Sequence, residues 1–390
     1  MPEAYIAAAG RTAGGRRGGR LAGVHPADLA GKVIDALVAR TGIDPALIDD
    51  VILGCVGQVG EQTSNIARSA VLSSSLPDAV PGTTIDRQCG SSQQALHFAA
   101  QAVMSGTQDI VFAGGVESMT RVPMFSASAL ATQAGMGSYK SPKMEARYPG
   151  IEFNQFTSAE MIAKKYGLSK DQLDQFAYLS QRRAIAASRS GAFKDEIIPV
   201  EITIADGSTQ VHEVDEGIRF DVTLEGIQGV KLLVEGGRVT AASSSQICDG
   251  ASGLLVVNDK GLKQLGLQPL ARVHHISVRG DDAVIMLEAP IPATRLALKK
   301  AGMSIKDIDL YEVNEAFAPI PLAWLRALDA DPEKINVHGG AIALGHPLGA
   351  SGTKLMATLI NALKQRGQRY GLQTMCEGGG LANVTIVERL

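Results

Sequence analysis

Two segments of this chain, separated by 260 residues, show the same order of structural signals. Residues 36–54 and 296–314 each read as a helix end, a glycine, an acidic turn and an apolar strand. Gly42 aligns with Gly302, and Asp49 aligns with Asp309. A glycine after a helix and an apolar run after a turn are common, so this match alone does not establish a repeat.

The units that follow these two segments also correspond. Residues 85–115 read as a polar turn, a helix and a strand ending in two glycines, and residues 339–380 repeat that order. Ser91 coincides with Ser351 at the same offset. The predicted helices cover 93–104 and 353–364, and the predicted strands cover 110–113 and 371–375. Alternating helices and strands predict a duplicated α/β unit, in which helices cover buried sheets.

The stretch between the two units, residues 119–248, is predicted to be an insertion. It contains a helix pair, over 158–166 and from a capping box at Ser169 to about 190. Its first part, residues 119–155, is rich in Met, Ser, Gly and Pro without a clear period. Irregular stretches of this length inside a compact domain are usually functional.

The beginning of the chain is apolar and then basic. A strand is predicted over 4–9, and the glycine- and arginine-rich residues 11–20 follow it. The basic stretch fits a loop after that strand, a transit peptide or a phosphate-binding arm. A helix predicted over 26–40 follows at once, which favours the loop.

Composition excludes several classes of protein. With 45% hydrophobic and 20% charged residues, the chain can bury a large core. A net charge of −3 is no electrostatic signature of nucleic-acid binding, and no apolar run approaches the ~18 residues of a membrane span. Four cysteines in 390 residues form no disulfide framework, so we expect a reducing, cytoplasmic location.

Cys89 is the best candidate for a chemically active thiol. It lies where a predicted strand meets a helix N-terminus, and the exposed amides and helix dipole there favour an anion. We therefore expect Cys89 to form a thiolate more easily than an ordinary cysteine. Cys55 lies in an apolar strand, where a thiol is an inert small hydrophobic group.

Three further residues fit a thiol mechanism, and each also has a purely structural interpretation. His346 lies between Gly345 and Pro347 before a helix, where it can activate a cysteine or simply cap a turn. Cys376 precedes three glycines whose N–H groups can hold an oxyanion, although this is also a plausible strand-end turn. Asn314 follows a strand and is either functional or a helix cap.

The sequence gives no support for a metal or nucleotide site. His274 and His275 are adjacent on a predicted strand and therefore point to opposite faces. Zinc-binding spacings, dinucleotide-binding glycine patterns, P-loops and the G-x-S-x-G turn are all absent from the sequence.

Together these motifs resemble the thiolase family, the acetyl-CoA C-acyltransferases and acetyltransferases. The similarity runs from end to end, in the right order. The matching stretches are Arg11-Thr12 with Gly18-Gly19, 87–91 (RQCGS), 113–119 (AGGVESM), 314–318 (NEAFA), 339–352 (GGAIALGHPLGASG) and 376–380 (CEGGG).

The resemblance implies an α/β protein with the thiolase fold, a duplicated α-β-α-β-α layered core with an inserted loop domain. Residues 1–118, completed by 249–268, would form the N-terminal half, and 269–390 the C-terminal half. Residues 119–248 would form the loop domain that binds CoA. The resemblance also implies a homodimer or homotetramer. Coenzyme A and acyl-CoA would be substrates, with no tightly bound cofactor and no metal.

The resemblance also implies a role for individual residues. Cys89 is similar to the acyl-accepting nucleophile, His346 to its activating base, and Cys376 to a second acid/base that moves the α-proton of acetyl-CoA. Asn314 would hold a water beside His346. The amide of Gly378 would form a second oxyanion hole with the amide of Cys89. Arg219 and Ser245 would contact CoA.

The implied reaction is thiolysis of a 3-ketoacyl-CoA by CoA, giving acetyl-CoA and a shortened acyl-CoA, or the reverse Claisen condensation. It would proceed by a ping-pong mechanism through an acyl-cysteine at Cys89. One alternative is a decarboxylating ketoacyl-synthase-type enzyme, against which Cys376 argues because decarboxylation needs no base. The other is a non-catalytic acyl-CoA-binding protein on the same scaffold.

Several positions depart from the family pattern. His338 replaces an Asn or a small residue, Gln93 replaces a Leu, and residues 242–246 read ASSSQ in place of a common GNASG. We expect these positions to lie in or near substrate-binding parts. They leave open whether the acyl group is linear or a bulky steroid side chain, and whether His338 lines the acyl pocket or replaces a hydrogen-bonding Asn.

Overall fold

The computed structural model describes residues 2–204 and 206–390. The strands are β1 Tyr5–Thr12, β2 Gly15–Arg16, β3 Asp50–Gly54, β4 Gly82–Ile85, β5 Ile110–Ser118, β6 Ile197–Ile198, β7 Val200–Thr203, β8 Thr209–His212, β9 Cys248–Val257, β10 Ala271–Gly280, β11 Leu310–Val313, β12 Tyr370–Glu377 and β13 Leu381–Arg389. The helices are α1 Pro26–Thr41, α2 Ile66–Leu72, α3 Ser91–Ser105, α4 Ser126–Gln133, α5 Pro142–Arg147, α6 Gln155–Lys165, α7 Lys170–Ser190, α8 Leu224–Gln228, α9 Asp259–Leu265, α10 Pro290–Ala301, α11 Pro319–Leu328, α12 Ala341–Leu344 and α13 Ser351–Arg366.

The predicted duplication is visible in the sheet. One half contains the strand order β4-β3-β5-β9-β1, the other contains β11-β12-β13-β10, and short pairing between β1 and β10 joins them. The 260-residue offset relates β3 to β11, β5 to β12 and α3 to α13. Even single hydrogen bonds repeat. Asp49 accepts from the amides at 109 and 110, and Asp309 accepts from those at 369 and 370.

Helices and sheets alternate in five layers. Helices α3 and α13 pack against each other between the two half-sheets, within one apolar cluster that includes Leu96, Leu254 and Ile360. Helices α1 and α2 cover the outer face of the N-terminal half, and α10 and α11 cover that of the C-terminal half. This arrangement confirms the predicted α/β class and the α-β-α-β-α layering.

The long segment between β5 and β9 leaves the sheet and returns to it, since these two strands are antiparallel neighbours. It contains the predicted helix pair as α6 and α7, and the capping box at Ser169 is present. Helix α6 begins at Gln155, earlier than predicted, because the Asn154 side chain caps it. The stretch 119–155 contains two short helices, α4 and α5, rather than only loop.

The first strand extends to Thr12, three residues beyond the prediction. Arg11 is fully buried in that extension, where its guanidinium forms ion pairs with Glu196 and Asp215 at 2.7 and 2.8 Å. An arginine is rarely buried in a strand unless it is paired, so the two ion pairs of Arg11 allow the strand to continue to Thr12.

In the part of the chain that the structure describes, none of the helices combines the length and apolar character needed to cross a membrane.

Candidate active site

Cys89 lies in a tight turn between β4 and α3. Gln88, directly before it, has a φ of 49°, which is uncommon for a residue other than glycine. The Ser91 hydroxyl stabilises the turn, because it accepts from the Arg87 amide at 2.9 Å and donates to the Gln88 carbonyl at 2.6 Å. A strained strand-to-helix turn of this kind presents the Cys89 side chain in a fixed direction.

The environment of Cys89 does not favour the free thiolate. Burial raises the pKa of this thiol to about 12, with a further contribution from the carboxyl of Glu377. The prediction that the helix N-terminus would make Cys89 a ready thiolate is therefore wrong, because desolvation outweighs the helix dipole. The Cys89 proton needs an acceptor during the reaction.

His346 lies in the loop between α12 and α13, and three contacts fix that loop. The His346 amide donates to the Gln246 carbonyl at 3.0 Å. Lys354, buried on α13, donates to the carbonyls of Leu344 and Gly345 at 2.5 and 3.0 Å. Gly345 has a φ of 78°, and a Cβ there would lie 2.6 Å from the Cys248 sulfur, so only glycine fits.

The hydrogen bonds of His346 assign its protonation state. Its Nδ1 lies 2.5 Å from Oγ of Ser351, which itself donates to the Pro347 carbonyl at 2.8 Å. Because the serine proton is used in that bond, Nδ1 carries the imidazole proton and Nε2 keeps its lone pair. Burial, followed by the charge of Lys354, lowers the pKa of His346 to about 3. The ring is neutral near pH 7 and able to accept a proton.

Asn314 lies beside this ring, at the end of β11. Its side-chain nitrogen is 3.3 Å from Nε2 of His346. Its oxygen Oδ1 is buried and has no hydrogen-bond partner among the described residues. This geometry contradicts a simple helix-cap role, because the Asn314 side chain faces His346 and β11 is not followed at once by a capped helix.

Cys376 is buried near the end of β12, close to Cys89. Burial, followed by the neighbouring Cys89, raises the pKa of the Cys376 thiol well above its usual value. The glycine turn after β12 packs against the nucleophile turn, since a Cβ on Gly378 would lie 2.9 Å from the Gln88 side chain. The structure thus brings together Cys89, Cys376 and Gly378 from opposite halves of the duplicated fold.

The two residues predicted to contact CoA lie on segments tied to the His346 loop. The Ser245 amide donates to the Ala316 carbonyl at 2.9 Å, two residues beyond Asn314. Arg219 is exposed, and its amide donates to the side chain of Gln181 at 2.9 Å. Gln246, one of the departures from the family pattern, links these segments by donating to the carbonyls of Gly217 and Ile342 at 2.8 and 2.7 Å.

Two other departures lie in packed interior regions. Gln93 is fully buried and donates to the Thr385 hydroxyl at 2.8 Å, within a polar network between α3 and the C-terminal half-sheet. That Gln93 lies in or near the substrate-binding parts stays a prediction. His338 packs edge-on against Phe193 at 5.8 Å, and the Arg11 guanidinium lies 4.9 Å from the same ring. Burial lowers the pKa of His338 to about 4.

Sequence reasoning missed the residues that hold the candidate site residues in place. Ser351 was identified as the counterpart of Ser91, and this offset was the only signal that it fixes His346. Glu117 gave no such signal. It is buried in β5 and accepts from the amide of Gly349, in the His346 loop, at 2.8 Å. Within residues 2–204 and 206–390, no group of three or more His, Cys, Asp or Glu side chains is placed to hold a metal ion.

Comparison with known proteins decides the family. Residues 4–260 match the model of the thiolase N-terminal domain, and residues 267–389 match that of the thiolase C-terminal domain. The chain belongs to the thiolase family. Among its relatives, the steroid 3-ketoacyl-CoA thiolase FadA6 of Mycobacterium tuberculosis is 53% identical, with 100% of this chain and 95% of the relative covered. The 3-ketoacyl-CoA thiolase of Salmonella typhimurium is 42% identical, and both chains are covered completely.

Solved thiolase structures have the same fold. The Bacillus anthracis acetyl-CoA acetyltransferase superposes with a TM-score of 0.91 at 37% identity, covering 100% of this chain and 99% of the other. Human mitochondrial 3-ketoacyl-CoA thiolase superposes with a TM-score of 0.89 at 35% identity, again covering 100% of this chain and 99% of the other. This member of the thiolase family is therefore an acyltransferase enzyme. The comparisons give no support to a decarboxylating condensing enzyme or a non-catalytic acyl-CoA-binding protein.

Proposed function

We propose that this thiolase cleaves 3-ketoacyl-CoA with CoA, by a ping-pong mechanism through an acyl group on Cys89. The proposal rests on two neighbouring thiols that each need a proton acceptor and on a neutral histidine whose Nε2 can accept a proton. The thiols are Cys89 and Cys376, both with raised pKa values, and the acceptor is Nε2 of His346.

In the first half-reaction, Nε2 of His346 takes the Cys89 proton as the sulfur attacks the 3-keto carbon of the substrate. The bond between C2 and C3 then breaks. The acyl group stays on Cys89, and the electron pair goes to the enolate of acetyl-CoA. Cys376 donates its proton to that enolate, which leaves as acetyl-CoA.

In the second half-reaction, the Cys376 thiolate takes the proton of an incoming CoA thiol. The CoA sulfur attacks the acyl carbon and displaces the Cys89 thiolate, which recovers its proton from His346. Shortened acyl-CoA leaves and the enzyme returns to its starting state. The same groups, used in reverse order, carry out the Claisen condensation.

Both half-reactions develop negative charge on a thioester or keto oxygen. We assign one oxyanion site to Nε2 of His346, acting as a donor once protonated, together with a water held by Asn314. The buried, unpartnered Oδ1 of Asn314 is suited to hold that water. We assign the other to the amides of Cys89 and Gly378, because the two turns that carry them are in contact.

We propose that residues 119–248 form a loop domain that binds CoA. Residues 1–118 with 249–268 would form the N-terminal half, and residues 269–390 the C-terminal half. Arg219 is exposed and makes no ion pair among the described residues, which leaves its guanidinium for a phosphate of CoA. Ser245 lies close to the Asn314 segment and would contact the CoA arm near the thiols.

We propose that the enzyme is a homodimer or homotetramer. Strand β4 ends the sheet, and its outer edge is available for pairing with a second copy of the chain. Light scattering of the purified protein measures the oligomeric state, and a monomer at micromolar concentration would contradict the proposed homodimer or homotetramer.

We also propose a cytoplasmic location, which fits the four cysteines, all of which are free thiols.

The acyl specificity is best tested with a panel of 3-ketoacyl-CoA substrates, short-chain, long-chain and ring-bearing, each supplied with CoA. Acetyl-CoA and the shortened product are then quantified by chromatography. We expect thiolysis, with ring-bearing substrates favoured, because the identity to the steroid thiolase is higher than that to the Salmonella enzyme, 53% against 42%. Production of no acetyl-CoA from any of these substrates would contradict the proposed reaction.

A further inference from the structure

Glu377 lies at the thiol site, and the mechanism does not use its charge. It follows Cys376 at the end of β12 and is fully buried. Neither of its carboxyl oxygens has a hydrogen-bond partner among the described residues. A buried carboxylate without donors is costly, so the site must either supply a donor or keep the group uncharged.

The surroundings of Glu377 offer an acceptor for a proton, beside two groups that favour its charge, Arg87 and the backbone amide of Asn383. A Cβ on Gly90 would lie 2.1 Å from Oε1 of Glu377 and 2.9 Å from Oδ1 of Asn383, so both oxygens converge on Gly90. Oδ1 of Asn383 is also buried and unpartnered. Two acceptor oxygens that meet in a buried site are satisfied together when one of them carries a proton.

Asn383 connects this pair to the nucleophile turn. Its side-chain nitrogen donates to the Gly90 carbonyl at 3.2 Å, which fixes the orientation of the amide and leaves Oδ1 without a donor. Gly90 follows Cys89, and its carbonyl also accepts the first helical hydrogen bond of α3, from Gln94 at 2.8 Å.

The duplicated fold provides an internal comparison. Glu117 occupies the position 260 residues earlier, at the corresponding place in β5. It is also buried, but it accepts four hydrogen bonds, from the amides of Val56, Gly57 and Gly349 and from the Gln62 side chain, at 2.8 to 2.9 Å. Four N–H donors suit an ionised carboxylate, and Glu377 makes none of these four hydrogen bonds.

We propose that Glu377 is a positioning residue that stays protonated and donates a hydrogen bond to Oδ1 of Asn383, which holds Gly90 and thereby the turn carrying Cys89. The inference rests on the proposed role of Cys89. Protonation of Glu377 also removes a negative charge beside both thiols, since that charge adds to burial in raising the pKa of Cys89 and of Cys376.

The charged groups around Glu377 set the pH at which this arrangement fails. Burial raises the pKa of Glu377 to about 8, while Arg87 and the backbone amide of Asn383 act to lower it and Asp86 acts to raise it. Cys89 and Cys376 are the other titratable groups that face it. Above that pKa the carboxyl ionises, its hydrogen bond to Asn383 is lost, and both thiols become harder to deprotonate.

Difference infrared spectroscopy tests the protonation state without turnover. At about pH 6.5, below the pKa, the wild-type protein should show the C=O band of a buried carboxylic acid that is missing from Glu377→Gln. The band should disappear as the pH rises past about 8. Absence of such a difference band at about pH 6.5 overturns the inference, whatever the fate of the proposed reaction.

Kinetics of three variants test the positioning role. Glu377→Gln keeps a neutral donor for Asn383, so its thiolysis should stay within about threefold of wild type and should lose the decline above pH 8. Glu377→Ala should lose about tenfold or more. Glu117→Gln is the matched control. The amide protons of the new side chain would face the N–H donors that now bind the Glu117 carboxylate, so we expect this variant to lose activity. If Glu377→Gln loses as much activity as Glu377→Ala, the carboxyl acts as a charged base and the proposal is wrong.

Discussion

Nδ1 of His346 lies 2.5 Å from the hydroxyl oxygen of Ser351, at the first turn of α13. This contact decides which ring nitrogen is protonated, and therefore which nitrogen can accept a proton. Ser91 occupies the equivalent place at the start of α3, where its hydroxyl holds the turn that carries Cys89. The two halves of the duplicated fold thus use the same serine position to fix His346 in one half and the Cys89 turn in the other.

Replacing Ser351 by alanine should slow thiolysis. Without the hydroxyl, the imidazole is free to place its proton on Nε2, where it cannot act as a base. We expect kcat to fall roughly tenfold to a hundredfold, part of the contribution of a general base. The rate of Cys89 alkylation by iodoacetamide should fall in parallel, while Ser105→Ala, an exposed serine at the end of α3, should match wild type. A Ser351→Ala enzyme with wild-type kcat would show that the tautomer is fixed by other contacts.

The two thiols should separate when Cys376 is replaced by alanine. Acetyl-CoA should still acetylate Cys89, though more slowly, because His346 still takes the Cys89 proton while the CoA thiolate leaves without a proton from Cys376. Exchange of the acetyl-CoA methyl protons in deuterated water should be lost, because no base remains near the α-carbon. Proton exchange is followed by mass spectrometry of recovered acetyl-CoA.

Cys55→Ala is the control for this experiment. It removes another buried thiol, from the turn after β3, and should leave both acetylation and exchange intact. Exchange that persists in Cys376→Ala would mean that another group acts as the base for the α-carbon.

Replacing His338 by asparagine should change how stability depends on pH. Its pKa is lowered to about 4 in the folded protein by burial, against about 6.5 when unfolded. The unfolded chain therefore binds a proton more readily, and wild-type stability is lost as the pH falls from about 6.5 towards 4. The amide side chain of asparagine does not titrate, so the variant should escape this loss.

Urea unfolding of wild type and His338→Asn at about pH 7.5 and pH 4.5 measures this effect. Between these pH values the stability difference should shift in favour of the variant by about 2 to 3 kcal/mol. A stability difference that is the same at both pH values would show that His338 is protonated in the folded protein as easily as in the unfolded one.

The sequence predicted the regular part of the fold well because the hydrophobic pattern decides it. The two 260-residue repeats led to the correct layers, and helices α1, α3, α7 and α13 begin and end within two residues of their predicted bounds. Strand β1 was predicted too short because Arg11 reads as a surface residue. Its burial depends on Glu196 and Asp215, which lie about 200 residues away and are invisible to a local pattern.

The structure brings several of the predicted site residues together, with electrostatics that the sequence does not reveal. The motif resemblance singled out seven residues, and the structure places Cys376 close to Cys89 and Asn314 beside His346. The pKa of Cys89 was misjudged, because a helix N-terminus is visible in sequence while the depth of burial is not. The same applies to Glu377, whose missing donors appear only in three dimensions.

The central claim is that Cys89 carries the acyl group, and one measurement tests it directly. Wild-type protein is incubated with isotopically labelled acetyl-CoA in the absence of free CoA, quenched in acid, digested and examined by peptide mass spectrometry. We expect one labelled acetyl group on the peptide containing Cys89, lost again on addition of CoA and absent from Cys89→Ser. A label on Cys376 alone, or a folded enzyme that turns over substrate without labelling Cys89, would contradict the mechanism.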